Sequence, residues 1–245
     1  MNTGNDNQKS MVRWVASSID HTLLKPEAQS KDIIVLCEQA CACGFAAVCI
    51  NPCYVALAAS ILADTDIGVC TVIGFPLGST FTRVKVLEAQ EALSSGATEI
   101  DMVMNIAAAK DGLWEFVEHD ISAVVAVANE FGLEKGKTIP VKVILECCLL
   151  SDEEKHRACQ AAVAAGAAYV KTSTGFAAGG AVVKDVKLLR KSVGLSCGVK
   201  ASGGIRNAKD AVAMLLAGAD RLGTSAGLAI INEMISQNED ESCGF

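Results

Sequence analysis

The sequence predicts a single (β/α)8 barrel, and three observations carry that prediction. The chain has 245 residues, close to the ~250 that such a barrel typically needs. Short β-type runs alternate with longer helical ones through eight consecutive units, the pattern of a parallel sheet with crossover helices. Hydrophobic residues make up 51% of the chain but aromatics only 4%. The core must therefore be built from Val, Ile, Leu, Ala and Met, as in barrels filled by branched aliphatics. Residues 1–245 read as one domain, with a polar segment over about 1–12 and a polar, loose tail over about 236–245. No stretch rich in Pro, Gly or Ser separates a second domain.

The elements follow in order. Ala16-Ser17-Ser18-Ile19 leads into Asp20-His21-Thr22-Leu23-Leu24, with Asp20 ending the first strand, and a helix follows over about 30–42. Residues 45–51 form an apolar second strand ended by Asn51-Pro52, a turn signal; a helix over 54–63 comes next. The third strand, 67–73, is rich in Val, Ile and Thr and stops at Gly74-Phe75-Pro76, before a helix over 80–93. Residues 99–105 are the fourth strand. The helix over 113–131 places Trp114, Val117, Ile121, Val124, Val125 and Ala128 at spacings of three and four. The fifth strand, 141–145, precedes Ser151-x-x-Glu154, a capping box that opens a helix reaching about Ala165. Residues 168–172, 198–201 and 220–224 are the last three strands, with helices over about 183–191, 208–217 and 227–235. No GxGxxG follows the first strand, as a dinucleotide-binding open sheet would require.

The formal net charge of -7 disfavours a nucleic-acid binder, which would present a basic face. It leaves room for a phosphorylated small molecule, because backbone amides and one helix end can hold a phosphate. The 11 cysteines lie in apolar stretches without paired CxxC motifs or zinc-finger histidines. They read as reduced, buried thiols, which speaks against a cysteine-rich metal-binding protein. The first ten residues lack the apolar core of a signal peptide, and no apolar run approaches the ~18 residues of a membrane span. The expectation is a soluble, cytoplasmic protein with no nucleic-acid or membrane partner.

Barrel enzymes place their chemistry at the C-terminal ends of strands, and burying an unpaired charge is costly. Charged residues on apolar strands are therefore informative. Lys171 lies within the sixth strand, Tyr169-Val170-Lys171-Thr172. Lys200 occupies the same level of the seventh, Gly198-Val199-Lys200-Ala201. In the fourth, period-two alternation puts Asp101, Val103 and Asn105 on one face and Ile100, Met102 and Met104 on the other. An ordinary alternative is an ion pair between one lysine and Asp101, with the other lysine reaching solvent. Two lysines on adjacent strands, each beside a Gly-containing loop, argue against it.

This trio suits catalysis by an amine nucleophile. A free lysine has a pKa near 10.4, so roughly one in a few thousand is unprotonated at neutral pH. A nucleophile needs that value lowered by about three units, which a second cation and desolvation supply. Asp101 can accept and return the protons as carbinolamine becomes imine and enamine.

Glycines cluster after strands six, seven and eight: Gly175, then Ser202-Gly203-Gly204, then Gly223-Thr224-Ser225. Backbone amides there make the usual barrel phosphate site; Asn207 is a candidate N-cap, with Asp210 three residues on. Asp20, Cys49 and Thr172 are further candidate substrate contacts, alongside Gly223. His21, His119 and His156 form no cluster and no HxH spacing, which disfavours a zinc-dependent mechanism.

Several strings resemble one family, the deoxyribose-phosphate aldolases. They are Ile19-Asp20-His21-Thr22-Leu23-Leu24, Ala47-Val48-Cys49-Ile50, Glu99-Ile100-Asp101-Met102-Val103, Val170-Lys171-Thr172-Ser173-Thr174-Gly175-Phe176 and Lys200-Ala201-Ser202-Gly203-Gly204-Ile205-Arg206, in order along nearly the whole chain. The Lys-Thr-Ser-Thr-Gly string is highly specific. The resemblance implies a class I lyase of deoxyribonucleoside catabolism. It would reversibly cleave 2-deoxy-D-ribose 5-phosphate to acetaldehyde and D-glyceraldehyde 3-phosphate. It implies that Lys171 forms the Schiff base, Lys200 lowers its pKa and Asp101 relays protons, while Gly175, Gly203, Gly204 and Ser225 bind the phosphate. It also implies no metal or organic cofactor and a homodimer or homotetramer. Phe176 stands where some members carry a phosphate-assisting lysine, and Phe245 ends the chain where some carry a tyrosine that reaches the active site. The alternatives are another lysine-dependent phosphosugar aldolase or transaldolase, and a non-catalytic phosphosugar-binding protein.

Overall fold

The computed structural model describes residues 3–242. Eight parallel strands close into a barrel in chain order: β1 (Ile19–Leu23), β2 (Ala47–Ile50), β3 (Gly68–Ile73), β4 (Glu99–Val103), β5 (Val141–Ile144), β6 (Tyr169–Lys171), β7 (Gly198–Ser202) and β8 (Arg221–Thr224). β1 closes the ring by pairing with both β2 and β8. The predicted helices lie between them as α2 (Ser30–Cys43), α3 (Val55–Ile61), α4 (Thr82–Ser94), α6 (Trp114–Lys135), α7 (Asp152–Ala164), α8 (Val183–Val193) and α9 (Ala208–Leu216), with α10 (Gly227–Ser242) last. The fold is the single-domain barrel expected.

Local signals act where the sequence places them. Ser151 caps α7: its side chain accepts from the Glu154 amide while Glu154 accepts from the Ser151 amide. Asn207 caps α9 by accepting from the Asp210 amide.

Four elements differ from the sequence reading, the first being β1, which begins at Ile19 and runs past Asp20 to Leu23. The N-terminal segment, read as merely polar, forms helix α1 (Thr3–Ala16), which packs against α10. β4 stops at Val103 because Asn105 turns to cap a short helix, α5 (Ile106–Lys110), by accepting from the Ala108 amide. α10 continues through Ser242 instead of ending near Ser236. Cys243, Gly244 and Phe245 lie outside the described residues, and with them the question of the missing terminal tyrosine. No helix among the described residues is long and apolar enough to cross a membrane.

The aliphatic residues do not chiefly fill the barrel, which corrects the composition argument. The large core lies outside the strands, against the helices, and includes Ile100, Met102 and Met104 with Val117, Ile121 and Val124 of α6. Inside, the apolar group is small: Leu24, Ala47, Cys49, Cys70 and Val72, with Phe75 packed against it. The reason is strand alternation. The inward positions of β4 to β8 carry Glu99, Asp101, Lys142, Lys171, Lys200 and Arg221, so charged side chains take the space.

Candidate active site

Strand register assembles the site. Lys171 and Lys200 are direct partners across β6 and β7, Lys200 and Arg221 across β7 and β8, and Asp101 and Lys142 across β4 and β5. Partners in register point to the same face, so all converge inside the barrel. Asp101 is the hub. Its Oδ2 accepts from Lys171 Nζ at 2.6 Å and Lys200 Nζ at 2.7 Å. Its Oδ1 accepts from Lys142 Nζ at 2.9 Å and the Cys70 thiol at 3.1 Å.

Buried ions persist only when paired and hydrogen-bonded, and each member has partners. Lys200 donates to Asp20, whose other oxygen accepts from Nε (2.7 Å) and Nη2 of Arg221. Arg221 also reaches Glu99, which binds Lys142 at 2.6 Å. Gly68 makes room for Glu99: a Cβ there would lie 3.0 Å from its Oε1. Gly223 does the same for Lys200, whose Cε would lie 3.2 Å from an added Cβ.

The electrostatics follow from these pairings. Burial works to strip Lys200 of its proton, but Asp101 and Asp20 outweigh it and hold the ammonium above the ordinary lysine range. Lys142 is raised in the same way: burial is outweighed by Asp101, Cys70, Glu99 and Asp20. Burial favours the neutral acid at Asp20, yet Lys200, Lys142 and Arg221 pull its carboxyl down to about 2. Asp101 is likewise held well below the carboxylate range, burial being overcome by Lys142, Lys171 and Lys200.

A cavity of about 410 Å³ opens above this cluster. Lys171 lines it, as do Gly175, Gly203, Gly204, Gly223 and Ser225 from the three Gly-rich ends. Gly175, Gly203 and Gly204 have φ of 86°, 90° and 79°, a conformation that favours glycine and bares the backbone. Lys25 and Arg206 bring two cations to the same wall.

Three predicted substrate contacts stand elsewhere. Asp20 is not at the end of β1 but inside it, fully buried against Lys200 and Arg221. Cys49 is buried with its sulfur 4.0 Å from Asp101 Oδ2. The neighbouring Cys70 side chain, then Lys200 and Lys171, lower its pKa against the effect of burial. Thr172 points the other way from Lys171, donates to the Ser202 carbonyl and accepts from the Ser202 amide, so it ties β6 to β7. None of the three lines the cavity. Phe176 does, half exposed, its ring edge-on to Phe75 at 5.2 Å between centroids.

Sequence reasoning missed Lys142, Arg221 and Glu99, although each is a charge on a strand, the signal that found Lys171. It also missed Glu146, which sits just after β5 in a left-handed conformation (φ 56°) and is almost fully buried. Its carboxylate accepts from the Thr174 amide at 3.2 Å and from the Thr174 hydroxyl. A strained buried acid thus holds the turn that follows Lys171.

Two sets of side chains bring three ligand atoms within 4.8 Å of one another: Cys49, Cys70 and Asp101, and Asp20, Cys70 and Glu99. Every carboxylate in them is already bonded to a lysine or to Arg221, so a dication there would face those cations at close range.

Known proteins share this sequence and this fold. The model of the DeoC/LacD family aldolases matches residues 14–233. The chain is similar to the deoxyribose-phosphate aldolase of Caldanaerobacter subterraneus subsp. tengcongensis, 56% identical over 223 residues, or 91% of this chain and 94% of that one. It is 55% identical to deoxyribose-phosphate aldolase 2 of Bacillus licheniformis, over 92% and 98% of the two chains. Among solved structures, the tetrameric deoxyribose phosphate aldolase of Aeropyrum pernix superposes with a TM-score of 0.84 at 35% identity, covering 96% of this chain and 99% of that one.

Proposed function

Since this chain belongs to the DeoC/LacD family of aldolases, we propose that its reaction runs through an imine on Lys171. It is a lyase that cleaves 2-deoxy-D-ribose 5-phosphate reversibly to acetaldehyde and D-glyceraldehyde 3-phosphate, in keeping with the name its relatives carry. One observation carries the assignment of the nucleophile: of the buried lysines bonded to Asp101, only Lys171 lines the cavity.

The neutral Lys171 amine attacks C1 of the open-chain sugar, and the carbinolamine loses water to give an iminium ion. Removal of the C3 hydroxyl proton breaks the C2–C3 bond. Its electrons pass into the iminium, which becomes an enamine, and D-glyceraldehyde 3-phosphate leaves. Protonation at C2 and hydrolysis then release acetaldehyde and free the lysine. Asp101 Oδ2 touches both Lys171 and Lys200, so protons have a path of two hydrogen bonds between the reacting nitrogen and a permanent ammonium. The 5-phosphate sits against Gly203, Gly204 and Ser225, with Lys25 and Arg206 supplying charge. Those two cations support phosphate binding in a chain that has Phe176 where some members have lysine.

The tetrameric relative supports a homo-oligomer, which sedimentation would test. Free thiols at all ten cysteines of the described residues support a cytoplasmic setting. The test of function is borohydride reduction in the presence of acetaldehyde, read by mass spectrometry. A reduced two-carbon adduct on Lys171 is expected; an adduct on Lys200, or none, sinks the assignment.

A further inference from the structure

The charges inside the barrel close into a ring. Lys200 binds Asp20, Asp20 binds Arg221, Arg221 binds Glu99, Glu99 binds Lys142, Lys142 binds Asp101, and Asp101 returns to Lys200. Signs alternate around it, so three cations cancel three carboxylates. Lys171 is the seventh group and stands outside the ring. Its bond is to Asp101 Oδ2, an oxygen it shares with Lys200. Four bases against three acids leave one proton in excess. A surplus buried charge is costly, and Lys171 is the member of the cluster whose proton has a way out through the cavity.

We propose that Arg221 and Glu99, which bond neither to Lys171 nor to the cavity, are positioning residues that set with opposite sign the pH at which Lys171 becomes nucleophilic. Arg221 neutralises Asp20 and Glu99, so that neither carboxylate is left to hold the Lys171 proton in place. Glu99 neutralises Arg221 and Lys142, so that these cations do not drive the proton off at every pH. Neutrality of the ring is therefore what tunes the seventh group. The inference rests on the Schiff-base reading above and adds two residues to it.

The charged and titratable surroundings of Lys171 are few. They are Asp20 on β1, Cys49 on β2, Cys70 on β3, Glu99 and Asp101 on β4, Lys142 on β5, Tyr169 on β6, Lys200 on β7 and Arg221 on β8. Glu146 after β5 is occupied by Thr174, and Lys25 and Arg206 line the same cavity as Lys171. Substituting Glu99 or Arg221 changes the charge of this set without touching the reacting amine.

The experiment uses the full-length protein as wild type, Glu99→Gln, Arg221→Gln, the double variant and Arg221→Lys. For each, the pH profile of retro-aldol cleavage and the pH profile of borohydride trapping at Lys171 are measured. Glu99→Gln is expected to move the acid limb of both down by about one pH unit, and Arg221→Gln to move it up by about as much. The double variant returns toward the wild-type position, and Arg221→Lys stays there. A purely structural role would lower rates without moving the limbs in opposite directions. Shifts of one sign, or no shift in folded variants, overturn the proposal. If Arg221→Gln does not fold, the downward shift of Glu99→Gln and its reversal in the double variant still decide. Wild type that fails to trap at Lys171 overturns the Schiff-base reading itself, whereas normal wild-type trapping with unmoved variants overturns the ring alone.

Discussion

Each barrel strand has two faces, and they differ in kind. Outward, Ile100 and Met102 of β4, Val143 of β5 and Val170 of β6 join a continuous aliphatic shell with the helices. Inward, the same strands carry Glu99, Asp101, Lys142 and Lys171, bonded to one another. The shell is not free of charge, since Lys85–Asp120 and Lys155–Asp185 are buried among the helices. The first is a single ion pair and the second runs out through Asp152 to Lys184 at the surface, whereas the interior network is buried and closes on itself. Because β side chains alternate strictly, a single strand can serve stability with one residue and chemistry with the next. The division predicts that shell substitutions alter stability and leave the reaction alone, while interior substitutions alter the reaction first.

The largest test is Lys171→Met. It removes the nucleophile and with it at least ~10^4-fold of kcat. It also removes the surplus buried charge, so thermal melting is expected at the wild-type temperature or above. Large loss of stability would break the separation of the two faces. Asp101→Asn should fail on both counts, because it leaves buried ammonium groups short of a counter-ion: about 10^2 to 10^4-fold in kcat and about 3–5 kcal/mol of stability, measured by steady-state kinetics and urea unfolding.

On the other face, Ile121→Ala should cost about 2–5 kcal/mol through the cavity it leaves, with kcat per folded molecule unchanged at a temperature well below melting. Acid should find the interior before the shell. The Asp20 carboxyl is held at about 2 against an ordinary 3.8, burial being outweighed by Lys200, Lys142 and Arg221. A depressed carboxyl contributes stability that is complete above about pH 4 and lost as pH falls through 2, here roughly 2 kcal/mol. Urea melts between pH 2 and 6 should show that slope, and Asp20→Asn should flatten it. The smallest effect belongs to a helix end. Ser151→Ala removes the α7 cap and should lower unfolding free energy by about 1 kcal/mol without changing kinetics.

Much of this was legible in the residues. Eight β-then-α units, the Ser151 box and the trio of Lys171, Lys200 and Asp101 are local signals, and each appears where expected. Lys142 and Arg221 carried the same local signal, a charge amid Val141-Lys142-Val143-Ile144 and Arg221-Leu222-Gly223-Thr224. What hid them was their partners. Whether a strand cation is paired, and with which acid, depends on the register of β5 on β4 and on the closure of β8 onto β1. Asp20 was misplaced for the same reason: its partners, Lys200 and Arg221, are about 180 and 200 residues away. Helix α1 went unread because it is polar on average, its apolar residues Met11, Val12, Trp14 and Val15 falling only in its last turns, and its support is α10 at the other end of the sequence.

The ring also bears on how the chain folds. Its members come from β1, β4, β5, β7 and β8, so no stretch of the chain short of all eight strands contains a complete set. A half-barrel ending after β4 would hold Asp20, Glu99 and Asp101 without a single one of their cations. Such a piece gains nothing by drying its interior, and the acids would keep it hydrated. Closure of β8 onto β1 delivers Arg221 to Asp20 and completes the neutral set in one step. The catalytic charges thereby penalise every incomplete version of the barrel, and make assembly of its interior cooperative across the whole length of the chain.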